Sequence, residues 1–560
     1  MANLLLGPML RHVAATTATV WVETDEPCEV CVLGHRARTF TVWGHHYALV
    51  VIEGLRPGET YPYDVTLDGD RCWPPVAWEL PPSIIRTLDP DAERATVLFG
   101  SCRAAAPHTV PYVLRPEEAP EGRGVDTLRA FALRMSRTEP ADWPDLLVLI
   151  GDQVYADDAS PGVRARLQAE RPADHPLPPE LVADFEQYTW LYREAWSPEL
   201  ERWLFSVLPS VMLFDDHDMI DDWNISDAWV REIRRQPWWE DHVVGGLVSF
   251  WLYQHLGNLS PQRLREEGLL ERVAAAADAG EELRAWARRS ESFTPVPGGY
   301  QFSFARELGP VHLIMVDARN GRVLEPGARR MLGDEEWAFV VREASRPCRH
   351  LLLATSLPAF VPGGLHGVQQ WNEAVCDGAW GRLAGRVGER LRRALDMEDW
   401  AAFDHSFRAL EELLLRIGAE ATDRHGPDSR PVPPPATINV LSGDIHFAYL
   451  ARVGRRDGVP LTSRIHQIVS SPIRNVLPAR DRRVLAFGAS AAGRWIGARL
   501  QHLAGRAQSR LAWGFEHEPV FANNIGLLRF AGDTGTVQLL RARLDDDGEP
   551  ELLAAVEAVL

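Results

Sequence analysis

Apolar and polar residues follow two different rhythms along this chain. Early on, Thr17-Ala18-Thr19-Val20-Trp21-Val22-Glu23-Thr24 changes character at every second residue, as a strand with one buried face does. Leu55-Arg56-Pro57-Gly58-Glu59-Thr60-Tyr61-Pro62-Tyr63 then reads as a turn entering a tyrosine-rich strand. A proline-rich stretch, from Trp73-Pro74-Pro75 to Pro81-Pro82, marks an exit. From Ala95 onward, short uninterrupted apolar runs occupy residues 96–99, 146–150, 211–214, 311–316, 351–354 and 438–441. Runs of that length suit strands covered on both faces. Long helical stretches separate them, among them 264–289 and 383–418, and proline-rich 427–435 reads as a loop before the last strand. The expectation is an all-β domain over residues 1–88 and an α/β domain over 93–545, with no internal repeat.

Composition narrows the chemistry. A chain of 560 residues, 46% hydrophobic and 24% charged, is expected to fold as a globular protein with more than one core. Its net charge of −19 speaks against a nucleic-acid coat or an anionic membrane surface as the main partner, while an acidic chain can still hold cations locally. All 59 basic residues are arginine. That excludes a phosphate-loop lysine, a Schiff base and a catalytic-lysine kinase, and leaves arginine and metal to handle any phosphate. The start, Met1-Ala2-Asn3-Leu4-Leu5-Leu6-Gly7-Pro8, has no basic leader, and no apolar run reaches membrane-spanning length, so a cytoplasmic location is expected. Six cysteines are too sparse for a disulfide scaffold. Cys28-x-x-Cys31 has no second pair to complete a zinc site and reads as structural.

The chemistry-bearing residues follow the apolar runs. Gly100-Ser101-Cys102-Arg103 comes after the first run, and Gly151-Asp152-Gln153-Val154-Tyr155-Ala156-Asp157-Asp158 after the second. Asp215-Asp216-His217-Asp218, then Asp221-Asp222-Trp223-Asn224, comes after the third. Asp317-Ala318-Arg319 and Ser442-Gly443-Asp444-Ile445-His446 follow two later runs. Taken singly, each has an ordinary reading: a buried thiol, a Gly-Asp turn, a solvated acidic loop, a strand-end cap. Together they lie where strand ends of an α/β protein converge on one crevice. Carboxylates crowded there repel one another and lose hydration unless a cation joins them. Hard ions favour carboxylate oxygen, whereas thiolate, phenolate and imidazole favour iron or zinc, so this mixture implies a mixed-metal centre.

The ordered set Ser-Cys-Arg, Gly-Asp-Gln-x-Tyr-x-Asp-Asp, Asp-Asp-His-Asp and Ser-Gly-Asp-x-His resembles the PhoD-type alkaline phosphatases of the calcineurin-like metallophosphoesterase superfamily. The Leu55–Tyr61 turn likewise resembles the tyrosine corner of fibronectin- and immunoglobulin-like sandwiches. The resemblance implies an αββα sandwich preceded by a small β-sandwich, with iron and calcium bound, or manganese or zinc in their place. It implies Cys102, Asp152 and Tyr155 as iron-side ligands, with Asp152 bridging two metals. Asp216 stands where the superfamily usually has a metal-binding Asn, and Asp444 and His446 match the last metal motif. His217 corresponds to the catalytic histidine and Arg319 to a phosphate-contacting arginine. Asp221-Asp222 replaces the Asn-Asn of many relatives, which makes the calcium side more negative. The implied activity is hydrolysis of phosphate mono- or diesters by a metal-activated hydroxide. A phospholipid-type diesterase and a metal-stabilised, non-catalytic binding scaffold are the alternatives. The N-terminal sandwich is expected to contribute little to the chemistry.

Overall fold

The computed structural model describes residues 1–172, 176–291, 300–419, 432–477, 482 and 488–560. Thr17–Thr24 pairs antiparallel with Leu4–Val13 on one side and His45–Glu53 on the other, and Phe40–Val42 completes a four-stranded sheet. A second sheet has the order His35–Arg38, Glu29–Val32, Val65–Leu67, Asp70–Trp73. Val20, Val22, Val30, Val32, Val50 and Val65 share the core of this sandwich. The tyrosine corner forms: the Tyr61 hydroxyl accepts the Arg56 backbone N–H at 2.9 Å.

Thr17–Thr24 departs from the half-buried strand its alternation predicts, because every residue from Ala18 onward is buried. Val20 and Val22 face the sandwich core, while Trp21 and Glu23 face the α/β domain. Trp21 lies 5.3 Å from the Tyr253 ring, and Glu23 accepts from the Tyr253 hydroxyl at 3.0 Å and from Arg193 at 2.7 Å. Arg11, wholly buried, donates to the Gln254 carbonyl at 2.5 Å and to Asn258 Oδ1 at 3.2 Å. Gln254 in turn donates to Asp218, beside the site described below, at 3.0 Å. The N-terminal sheets therefore pack against residues that reach the wall of that site.

Two mixed sheets form the centre of the α/β part. One has the order Ser210–Leu213, Leu146–Ile150, Arg94–Gly100, Asn524–Ala531, Thr534–Leu544, Pro550–Val559, so its last strand lies beyond residue 545. The other has the order Phe304–Leu308, Val311–Val316, His350–Thr355, Thr437–Ser442, Arg464–Val469, Tyr449–Arg455, Leu511–Phe515. The apolar runs are continuous because both faces are covered. Leu146, Val148 and Ile150 join the inter-sheet core with Leu313, Met315 and Leu352, whereas Leu147 and Leu149 join the helix-side core. This is the expected αββα sandwich. The first three strands of one sheet run parallel, as do four of the other, so their carboxyl ends share one rim.

Two helical expectations change. Residues 264–289 form three helices, Pro261–Glu267, Leu269–Ala275 and Gly280–Ser290, the first closed by Gly268 at φ 64°. Only glycine takes that left-handed cap without cost. Residues 383–418 split into Arg382–Ala394 and Asp404–Gly418, because the connection turns inward to bury Glu398 beside Arg319 and Arg322. Of the loop expected over 427–435, residues 427–431 lie outside the described residues, and 432–435 are irregular. Among the described residues no helix is long and apolar enough to cross a membrane.

Two buried histidines make stability sensitive to acid. His255 packs 5.0 Å from Phe302, and His366 lies 4.6 Å from Phe407 and 4.9 Å from Trp513. Among the described residues none of their ring nitrogens has a hydrogen-bond partner, and burial depresses both imidazoles to about 3. The unfolded chain takes up these protons below about pH 6.5 and the folded chain does not, so stability falls as pH falls through that window. At pH 5 each histidine is expected to cost about 2 kcal/mol. The double variant His255→Phe/His366→Phe should lose less stability between pH 7 and pH 5 in urea titrations than the parent. An equal loss in both proteins counts against this origin.

Candidate metal centre

The rim gathers residues from both sheets. Asp152 occupies its middle, because in each of three neighbouring groups it offers a ligand atom within 4.8 Å of those of the other members. Cys102 and His446 form the first group, Asp216 and His217 the second, and Asp215, Asp216 and Asp444 the third. The loops that achieve this are strained. Cys102, Asp152, Asp222, Asn224, Asp444 and His446 all have positive φ, between 51° and 64°. Non-glycine residues seldom adopt that region, and strain of this kind concentrates at functional sites. Close approach explains two glycines: a Cβ on Gly151 would lie 2.3 Å from Asp215 Cβ, and one on Gly443 would lie 2.0 Å from Ser101 Oγ.

Each predicted ligand has a definite setting. Cys102 is buried, with Ser101 Oγ 3.1 Å and Ser471 Oγ 3.2 Å from its sulfur. Burial, then the negative charges of Asp152 and Asp444, pushes its thiol well up. A cation is what brings such a sulfur to the thiolate form. Tyr155 stacks on His217 with centroids 4.5 Å apart, and burial with Cys102 and Asp152 nearby raises its phenol. Burial raises the carboxyls of Asp152 and Asp444 far above the usual range, and Asp215 and Asp216 push them further. Burial lowers His446 to about 4, leaving it neutral and able to donate a lone pair. Among the described residues Asp152 Oδ2 and Asp215 Oδ2 are buried without a hydrogen-bond partner. Orphaned carboxylate oxygens beside a thiol and an imidazole suit a bound metal better than an empty crevice.

His217 and Arg319 have different surroundings from one another. His217 Nδ1 lies 2.8 Å from Asp157 Oδ1, and its backbone N–H donates to Asp152 Oδ1 at 3.2 Å. Burial alone would depress the imidazole, yet Asp157 raises it well above its usual value. Arg319 is wholly buried and lies among Asp215 at 2.5 Å, Asp444 at 2.7 Å, Asp216 at 3.2 Å and Glu398 at 2.5 Å. Its guanidinium is thus engaged by four carboxylates, an arrangement that competes with the phosphate contact expected from sequence.

Sequence reasoning passed over four residues. Asp157 and Asp215 stand inside the quoted motifs but received no role. Asp218 accepts the Gln153 and Val154 backbone N–H groups at 3.2 and 3.4 Å, tying two site loops together, and burial raises its carboxyl to about 7. Glu398 falls inside a span with a helical pattern, and nothing local marks it. Asp221 and Asp222 lie at the acidic edge, where burial raises them to about 7 and about 9.

The architecture has a solved counterpart. The fold is similar to that of PhoD. A structure of PhoD superposes over 99% of this chain and 90% of its own, with a TM-score of 0.55 at 11% sequence identity. The likeness to PhoD is one of fold. A structure described as GAP50, the anchor in the inner membrane complex of Plasmodium, aligns with 84% of this chain and 89% of its own at 7% identity and a TM-score of 0.32. Residues 1–85 match a domain of unknown function, DUF7800. No curated protein matches the sequence.

A substitution at the first core strand tests the thiol directly. Cys102→Ser is expected to lower bound metal and bleach any thiolate charge-transfer absorption. Unchanged metal content and spectrum would remove Cys102 from the candidate ligands.

Proposed function

We propose that this chain is a metal-dependent hydrolase of phosphate esters. The observation that carries this reading is Asp152: one carboxylate shared by a Cys–His group on one side and an all-carboxylate group on the other. Two donor sets of different softness that share the Asp152 carboxylate would suit two unlike cations, iron held by Cys102, Tyr155 and His446, and calcium by Asp216 and Asp444. When bound, such ions supply a nucleophile ionised near neutral pH and neutralise charge on the phosphoryl group.

The protein's own residues do the rest. Asp157 holds His217 Nδ1, which leaves Nε2 as the atom that carries a proton to the departing oxygen. Tyr155, stacked on the same ring, limits its rotation. Arg319 pairs with Asp215, Asp216, Glu398 and Asp444 and so offsets the repulsion among these crowded carboxylates. In this reading Arg319 acts on the metal ligands and leaves phosphate to the cations.

The test is elemental analysis of the purified chain together with turnover of chromogenic phosphate mono- and diesters. Iron with a second divalent metal, and turnover lost on chelation and restored by metal, are expected. A metal-replete chain that turns over neither ester class would instead be the binding scaffold.

A further inference from the structure

Helices Arg382–Ala394 and Ala491–Leu503 both pack on helix Gly363–Cys376, and both do so through glycine. A Cβ on Gly388 would lie 3.0 Å from the Cys376 sulfur, and one on Gly497 would lie 2.5 Å from the Gly364 carbonyl oxygen. With the small residues turned inward, the large apolar ones point out. Leu383, Val387 and Leu391 recur every fourth residue on one stripe and are 76%, 55% and 36% exposed. On the other helix Trp495 is 70% and Leu503 52% exposed. A helix normally turns its apolar stripe to the core, so the outward stripe on Arg382–Ala394, with Trp495 and Leu503 exposed on a second helix that packs on the same support, marks a surface with a partner.

Charge identifies that partner. Arg382–Ala394 carries five arginines against one glutamate, with Arg392 buried beside Glu389, Arg393 paired with Glu232, and Arg382, Arg386 and Arg390 exposed, and Ala491–Leu503 carries two arginines and no acid. These helices are cationic in a chain of net charge −19. Charge is screened over roughly 10 Å, so a surface feels the local arginines before the distant acids. Arg386 and Arg390 flank the Leu383–Leu391 stripe and are exposed. An apolar stripe edged by arginine is the pattern of a helix lying in the plane of an anionic bilayer. A second copy of the same face suits it poorly, since a two-fold contact sets arginine against arginine. We propose that this face docks on an anionic lipid bilayer.

The stripe also leads to the metal centre. Leu395, 57% exposed, is followed by Asp396 and then by Glu398, which reaches Arg319.

Cosedimentation of the full chain with vesicles tests the docking. Vesicles of phosphatidylcholine with phosphatidylglycerol should bind it, and phosphatidylcholine alone should not, with binding weakened by salt. Arg386→Gln and Arg390→Gln should each weaken binding about fivefold. Leu383→Ser/Val387→Ser should remove most of it at an unchanged melting temperature, since both side chains are exposed. Absence of binding to the anionic vesicles, or binding indifferent to these substitutions, overturns the proposal. So does a dimer in solution that the Leu383→Ser/Val387→Ser variant dissolves, which would assign the face to a second copy. Turnover of a soluble chromogenic diester separates the two readings: failed docking leaves it intact, and a failed hydrolase reading leaves docking intact.

Discussion

Asp152→Asn is expected to lose both metals and turnover together, whereas His217→Asn is expected to keep most of its metal and lose turnover about 10²–10⁴-fold. The difference follows from where each side chain sits. Asp152 belongs to all three donor groups at the rim, so removing its charge weakens every cation site at once. His217 belongs to one of them, with Nδ1 already held by Asp157 at 2.8 Å. Its loss should be felt most with poor leaving groups, because an activated nitrophenolate departs without help from an acid. A steeper dependence of turnover on leaving-group pKa in His217→Asn supports a proton donor. Loss of metal matching that of Asp152→Asn would make His217 a ligand. Lower turnover with an unchanged leaving-group dependence would place its effect on the phosphoryl group.

Arg319→Met should be among the most destabilising single substitutions in the chain. It removes a wholly buried guanidinium that lies within 3.2 Å of four carboxylates and leaves those charges facing one another. Stripping one partner from a buried ionic cluster costs about 3–5 kcal/mol. The loss should appear as a lower urea midpoint in metal-free protein, and added divalent cations should recover part of it. If Arg319→Met instead leaves stability unchanged and only raises KM for phosphate esters, the arginine contacts substrate as its sequence position suggests.

The buried strands of the α/β domain were legible in the chain because strands covered on both faces cannot hide their composition, whereas the αββα layering was implied by the family resemblance. Runs such as 146–150 and 311–316 coincide with Leu146–Ile150 and Val311–Val316. Helix continuity was less legible. A helical period persists across 264–289 and 383–418, yet a left-handed Gly268 and the inward pull on Glu398 break both spans. The first interruption is a glycine cap that the sequence itself carries, whereas the second depends on Arg319 and Arg322, contacts from a distant part of the chain that no local pattern records.

By itself the sequence determined where the buried strands lie, the loops that carry thiol, phenol, imidazole and carboxylate, and the exclusion of lysine chemistry, all properties of composition and of local period. The tertiary structure alone decided which loops meet. It drew Asp152 into three donor groups, set Arg319 among four carboxylates, and placed Asp157 behind His217. It also turned the second face of Thr17–Thr24 onto Tyr253, and the apolar sides of two helices outward. The reason is physical. A residue's period states that it has a buried or an exposed side, but which surface lies opposite is settled only when segments hundreds of residues apart pack together.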